Sequence, residues 1–283
     1  MTEVEKIKLI EDDLFSLARI GSEIIEFTQE LPSIVWLNIA NEIDTTGYNV
    51  NKESLKYEVI PHVFNENMID FYVKSNGFIY ESIIEGWRTY RRLKWSYIIQ
   101  LLLNLERSKD RIKIKILLYG DSVGTDSIYL AQLGFDVYYL DYESYCAKFA
   151  AFRFKNRNLN ISVINSLENS NLKFDYIMCL EVAEHMINPI DLIQELSNNL
   201  TEKGICIFSE GFALLYDKFP THLESNRIYI GKTKKLFRKA GLFLIAKDYQ
   251  EKPFYFSKFI GHRLNNSVIR YKLKSIFRKI VKR

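Results

Sequence analysis

The sequence predicts an α/β fold: a doubly wound, seven-stranded, mostly parallel sheet with an antiparallel last strand, plus an N-terminal helical domain. Three observations carry this. After Asp110, short runs rich in β-branched and aromatic residues alternate with helix-length segments, the texture of parallel strands covered on both faces. The last two runs are joined by only a short turn, which implies an antiparallel hairpin at one edge. Residues 3–106, by contrast, repeat their apolar side chains at helical intervals.

In chain order the strand-like runs are KILLY (115–119), DVYYL (136–140), ISVI (161–164), FDYIMCL (174–180), GICIFS (204–209), LFLIAK (242–247) and FYFSKF (254–259), with helical segments separating the first six. Upstream, Ile7, Ile10, Leu14, Leu17, Ile20, Ile24 and Ile25 fall on one helix face. A second helix is expected from a Ser33 cap through WLNIANEI, followed by a turn over 45–51. Further helices run over about 66–75 and through FIYESIIEGW, separated by Asn76-Gly77. A long helix over about 90–107 then reaches a polar joint at 108–110. The expected division is a helical cap or homodimerisation domain (1–110), a ligand-binding α/β domain (111–262) and a basic amphipathic helix (263–283).

Net charge is +4, yet ten Lys or Arg and no acid lie between Lys252 and Arg283, so the rest of the chain is net acidic. In that tail Ile269, Leu273, Ile276, Phe277 and Ile280 share one helical side. This suits either an interfacial helix drawn to an anionic membrane surface or a stapling helix whose basic face is only solvated. The charged N-terminus lacks the apolar stretch of a signal peptide, and no apolar run approaches the ~18 residues of a bilayer span. Cys146, Cys179 and Cys206 stand singly, two of them in apolar runs, as buried thiols of a reducing compartment do. The expectation is a cytoplasmic protein, peripheral at the membrane where the tail engages it. No CxxC pair or His/Cys cluster signals zinc, so no metal site is expected.

Between the first two strands the chain reads YGDSVG (119–124), then a helix, then a strand ending on Asp141. In an open α/β sheet, ligands bind beyond the carboxyl ends of the strands, where the strand order reverses. Gly120 and Gly124 allow backbone to approach a ligand, the helix start presents free N–H groups, and Asp141 is placed to accept both hydroxyls of a ribose. The plainer alternative is a tight strand–helix turn with an acid that caps the next helix.

The stretch FDYIMCLEVAEHMINPIDLIQELSNNLTEKGICIFSE (174–210) decides between them. It resembles the fourth- and fifth-strand region of class I S-adenosylmethionine-dependent methyltransferases, particularly the ubiquinone-biosynthesis O-methyltransferase type, through Phe174, Asp175, Glu181, Glu184, His185, Pro189 and Gly204. The likeness spans about 115–250 and implies a Rossmann-like fold with S-adenosylmethionine as cofactor. Two positions depart from the family pattern: Leu118 replaces an acid, and Ser122 replaces the middle glycine. On this resemblance Asp121 and Asp126 supply the polar contact to the methionine moiety, and Asn165-Ser166 meets the adenine amino group. With Tyr119, Gly120, Gly124, Asp141, Tyr142 and Glu181, the last near the sulfonium, these form the expected cofactor set.

Methyl transfer requires in-line alignment of nucleophile, methyl and sulfur, and a general base if the acceptor is a hydroxyl. His185, after the fourth strand, and His222, after the fifth, are the candidate bases, while Glu210 is a weaker acidic candidate. His62 and His262 have no comparable context. GWRTYRRLKW (86–95) interleaves Arg88, Arg91 and Arg92 with aromatics, either to grip an acidic or sugar-containing acceptor or as core aromatics under a solvated face. The expected function is a methyltransferase acting on a small molecule or glycan precursor, at oxygen. The alternatives are a peptide or nucleic-acid acceptor, or a cofactor-binding protein without catalysis.

Overall fold

The apolar runs pair into one seven-stranded sheet of order β3-β2-β1-β4-β5-β7-β6. Its strands are β1 (Lys115–Tyr119), β2 (Asp136–Leu140), β3 (Ser162–Val163), β4 (Phe174–Leu180), β5 (Leu200–Ser209), β6 (Phe243–Lys247) and β7 (Phe254–Ser257). The computed structural model describes residues 2–88, 95, 98–99, 102–103, 110–168, 171–247 and 253–259. The expected basic tail, His262, Arg91, Arg92 and most of the 90–107 helix lie outside the described residues. Strands β1 to β5 are parallel, and β7 runs antiparallel between β5 and β6, the expected edge hairpin.

Alternation along the strands sorts the core into two faces. Ile116 and Leu118 of β1 pack on one side with Ile128 and Leu130 of α7 (Thr125–Gln132), Phe154 of α8 (Tyr145–Asn156), and Ile10 and Leu14 of α1 (Glu3–Leu14). Leu117 packs on the other with Leu192 and Leu196 of α9 (Pro189–Asn199) and Phe237 of α10 (Thr233–Lys239). The helical segment before the sheet therefore shares its core: Trp95, Ile98, Ile99, Leu102 and Leu103 are helical and buried on the α1 side. Each such side chain stabilises the fold by roughly 1.5–3 kcal/mol.

A third cluster joins α2 (Leu17–Thr28), α3 (Pro32–Asp44) and α6 (Gly77–Trp87) to Val123, Cys146 and Phe149 of the α/β part. Beneath it, Arg153 of α8 is fully buried. Its guanidinium donates to Glu23 Oε2 on α2 (3.1 Å), to the Val123 carbonyl (2.7 Å) and to Thr125 Oγ1 (3.0 Å). Arg157 pairs with the same Glu23 carboxylate. Burial pushes Glu23 upward, but Arg153 and Arg157 outweigh it and hold the carboxyl below its ordinary value.

Several expected boundaries change for local reasons. The first apolar face is split at Ser16, whose hydroxyl accepts the Arg19 N–H and starts α2. Ser33 does not cap: α3 begins at Pro32, which has no N–H to satisfy, behind Leu31. The expected turn over 45–51 ends at Gly47, because buried Glu42 accepts from the Gly47 and Asn49 N–H groups and launches α4 (Tyr48–Lys56). Helix α5 (Glu66–Lys74) follows as expected. Strand β3 keeps two residues of the expected ISVI run, and among the described residues no helix separates β3 from β4, a stretch of Asn and Ser that favours turns. Cys146, Cys179 and Cys206 are free and buried, and among the described residues no helix is long and apolar enough to cross a membrane.

Replacing Arg153 by Met keeps length but leaves Glu23 short of its main cation and the loop after β1 untied. The expected cost of Arg153→Met is about 3–5 kcal/mol of unfolding free energy, the range for breaking a buried ion pair from one side. Urea denaturation measures it, and a loss below about 1 kcal/mol would mean that the network is not a structural tie.

Candidate active site

The strand order reverses between β1 and β4, and a cleft of about 1350 Å³ opens there. It is larger than the roughly 300–1,000 Å³ of an ordinary small-molecule pocket, room for two ligands side by side. One wall is the carboxyl ends of β1, β2 and β4; the other is helical, with Tyr72 of α5 and Phe78, Glu81, Ser82 and Glu85 of α6.

The loop after β1 is built around left-handed backbone. Gly120 sits at φ 74°, where a Cβ would lie 2.5 Å from Val182, and Gly124 at φ 71°, where it would lie 2.5 Å from Phe154. Ser122, between the two glycines, also has a positive φ of 45°. It is pinned on every side. Its N–H donates to Asp141 Oδ2 (2.5 Å), its carbonyl accepts from Tyr139 (2.6 Å), and its hydroxyl lies 2.9 Å from that of Ser82.

Asp141 directly follows β2 and faces the cleft, with Oδ1 accepting the Tyr142 N–H (2.7 Å). Burial pushes its carboxyl up to about 6, against the two backbone hydrogen bonds that pull it down. Asp121 turns its carboxylate to the start of α7, accepting from Ser127 N–H and hydroxyl at 2.7 and 2.6 Å. Asp121, Asp126, Tyr119, Gly120, exposed Tyr142 and Asn165 border the cleft. Gly124 and Ser166 stand outside its lining, Gly124 as the cap of α7 and Ser166 accepting the Glu168 N–H. Tyr119 directs its hydroxyl to Glu195 on α9 (3.1 Å).

Beyond β4 lies the other half. Glu181 stands at φ 56°, with its N–H on the Ser209 carbonyl. A short 3₁₀ turn, Ala183–His185, then presents Glu184 and His185. His222 arrives from the long loop after β5, its ring centroid 4.7 Å from that of His185. His185 Nδ1 lies 3.1 Å from the Thr221 carbonyl and 2.8 Å from the Tyr72 hydroxyl. Burial lowers His185 to about 4; burial and the neighbouring His185 lower His222 to about 3. Both imidazoles are neutral at neutral pH.

Sequence reasoning missed several contributors because they come from distant segments. His62 holds the His222 loop, its Nδ1 2.8 Å from the His222 carbonyl and its N–H on that of Pro220. Buried Asn226 donates its amide to the carbonyls of Glu184 (3.1 Å) and Met186 (2.8 Å). Glu81 faces the cleft from α6, and burial with neighbouring Glu42 and Glu85 pushes its carboxyl up to about 8. Only its position on the predicted α6 hinted at this. Glu210, by contrast, is engaged beside β5 by the Phe212 N–H and the Thr233 hydroxyl.

A family described as a methyltransferase domain matches residues 87–258, more than half of the chain. Among solved structures, an S-adenosylmethionine-dependent methyltransferase from Clostridium acetobutylicum is 15% identical, with a TM-score of 0.49, over 64% of this chain and 96% of its own. An O-methyltransferase from neocarzinostatin biosynthesis, solved with S-adenosylmethionine and 2-hydroxy-5-methyl naphthoic acid, is 13% identical (TM-score 0.47) over 89% of this chain and 73% of its own. The magnesium protoporphyrin IX methyltransferase of Synechocystis, solved with S-adenosylhomocysteine, is 17% identical (TM-score 0.41) over 59% and 82%. No curated protein matches the sequence.

A hydroxyl donates more strongly to a carboxylate than to a carboxylic acid, so if Asp141 takes a ribose, as the sequence leads one to expect, nucleoside affinity should be full well above pH 6 and weaken as pH falls through about 6. One unit lower, S-adenosylhomocysteine should bind about tenfold more weakly, and Asp141→Asn should flatten the profile. The fold responds with the opposite sign: a carboxyl raised above its unfolded value adds stability that is lost as pH rises through about 6. Calorimetry from pH 5 to 8 reads the first effect, and a flat wild-type profile would remove Asp141 from the ribose contact.

Proposed function

The chain belongs to the methyltransferase-domain family, with S-adenosylmethionine as donor, and on that premise we propose that it methylates a hydroxyl of a small-molecule or glycan-precursor acceptor. The observation that carries this reading is the composition of the cleft. Among the described lining residues, nine carboxyl groups stand against one lysine, Lys148. A sulfonium donor is a cation and suits such a lining, whereas a polyanionic nucleic acid would be repelled by it.

Each end of the cleft then has a role. Asp141 takes the ribose, the loop 120–126 the methionine end, and Tyr142 and Asn165 border the base, with Ser166 behind them. Glu181 stands near the sulfur. The acceptor enters between the helical wall and the His222 loop, where Phe64, Tyr72, Phe78 and Phe219 offer flat apolar surface. We read the N-terminal helices as the cap that completes this wall. An acceptor oxygen forms the O–CH₃ bond as the C–S bond breaks. The electron pair returns to sulfur, giving a neutral thioether, and the hydroxyl proton passes to solvent. His185 and His222 face the acceptor side; as free bases with such low pKa values they are poorly matched to neutral pH.

S-adenosylhomocysteine is expected to bind with micromolar-range affinity, about −8 kcal/mol. Asp141→Ala should weaken it by about 1.5–3 kcal/mol while the fold survives. Labelled donor offered with panels of phenols, sugars and sugar nucleotides should yield methyl ether with at least one class. Absence of calorimetric heat at saturating ligand would refute the cofactor assignment. Transfer only to amines or to carbon would refute the hydroxyl assignment.

A further inference from the structure

We propose that a second, smaller cavity in the helical part of the chain binds a free α-amino acid. The cavity holds about 360 Å³, at the low end for a small-molecule site, and shares no lining residue with the cleft. Helix α4 gives it one face, Asn49, Lys52, Glu53 and Lys56, at the i, i+3, i+4, i+7 spacing of a single helical side. Asn49 is only 3% exposed and lies at the floor, whereas Lys52 and Lys56 are exposed at the mouth.

The floor offers acceptors. Asn49 spends its Nδ2 on the Asn38 carbonyl and on Glu42 Oε2, both at 2.9 Å, and among the described residues its Oδ1 accepts no hydrogen bond. A bare acceptor on a buried side chain is a cost that a ligand donor removes. Glu30, just beyond the end of α2, accepts only from neutral groups, Asn76 Nδ2 (2.8 Å) and the Tyr80 hydroxyl (2.6 Å). Among the described residues it has no ion pair, and the carboxyl end of a helix is itself a place that favours a cation. An ammonium group suits both acceptors.

The mouth offers cations. Lys56 pairs with Glu53 and Lys74 with Asp70, whereas Lys52 has no ion pair among the described residues. A plain anion such as phosphate would meet Glu30 and Glu53, and a plain amine would meet three lysines. An α-ammonium beside a carboxylate answers both signs, with Ile34 and Tyr145 left to border a side chain. The cavity also backs onto the helical wall of the cleft. Val50, Tyr72 and Phe78 face the cleft from the same segments whose Asn49, Lys74 and Asn76 face the cavity, so an occupant braces that wall from behind.

The test is calorimetry on the full chain with glycine, alanine, serine, glutamate, lysine and methionine, alongside ethylamine and propionate, the two halves of alanine. At least one amino acid is expected to saturate one site per chain with a Kd of about 1 mM or tighter, and neither half to match it. Saturating S-adenosylhomocysteine should leave that affinity unchanged, which separates the cavity from the cleft. Lys52→Met and the isosteric Glu30→Gln should each weaken binding about tenfold or more, with an unchanged circular dichroism spectrum as evidence of folding. Exposed Lys52 keeps the test open should Glu30→Gln fail to fold. No saturable binding by any of these amino acids, competition by S-adenosylhomocysteine, equal binding of either half, or undiminished affinity in the folded variants would overturn the site. Amino-acid binding without donor binding would instead sink the methyl-transfer reading and leave this one standing.

Discussion

A guanidinium with no exposed surface is the constraint on which the rest depends. Arg153 reaches from α8 to a carboxylate on α2 and, with the same head group, to the backbone of the loop after β1. A buried cation is tolerated only when its donors are used, and burial already lowers its pKa to about 10, still charged at neutral pH. The loop must therefore keep the shape that turns the Val123 carbonyl inward, and α2 must keep Glu23 in place. This is why the N-terminal helices are not an appendage. They complete the core of the α/β part and close the cleft that its strands open.

What the sequence revealed depended on the range of the interactions. Strands β1, β2 and β4 match their expected limits because four or five apolar residues in a row, in strands covered on both faces, leave no other choice. The edge strand β3 was overestimated because two residues suffice where only β2 pairs with it. Helix starts failed where the cap was not the nearest hydroxyl: Glu42 launches α4 from five residues before Gly47. Asp141 and the loop were legible because a strand, two glycines and an acid recur at short spacing. The acceptor side was half legible. His185 and His222 were noticed singly, but their meeting needs the loop after β5 to fold back over the turn after β4. His62 and Asn226, which hold that loop, carry no local signal.

The two ends of the cleft follow different electrostatic logic. Carboxyl groups accumulate along the cleft, and burial has to be offset by backbone N–H groups, as at Asp141, or the group is pushed toward neutrality, as at Glu81 on the helical wall. A cationic donor relieves that tension by entering it. Around His222 the Glu184 carboxyl stands among two imidazoles held neutral and a tyrosine, Tyr72, whose hydroxyl is also held neutral by burial.

The two non-glycine residues in left-handed backbone at the switch point, Ser122 and Glu181, then make sense together. A side chain in that conformation costs roughly 1–2 kcal/mol and persists only where the surroundings leave no alternative. Glycine would be easier at 122. It would also remove the hydroxyl that meets Ser82 and with it one of the links between α6 and the loop. Serine keeps the strained backbone and couples it to the helical wall, so the loop after β1 and helix α6, on opposite walls of the cleft, are held in one register. Arg153 fixes the same loop from beneath. The strain at the mouth of the cleft is thus carried by the buried ion network below it, and alignment of two substrates, the main task of a methyl transfer, follows from that rigidity.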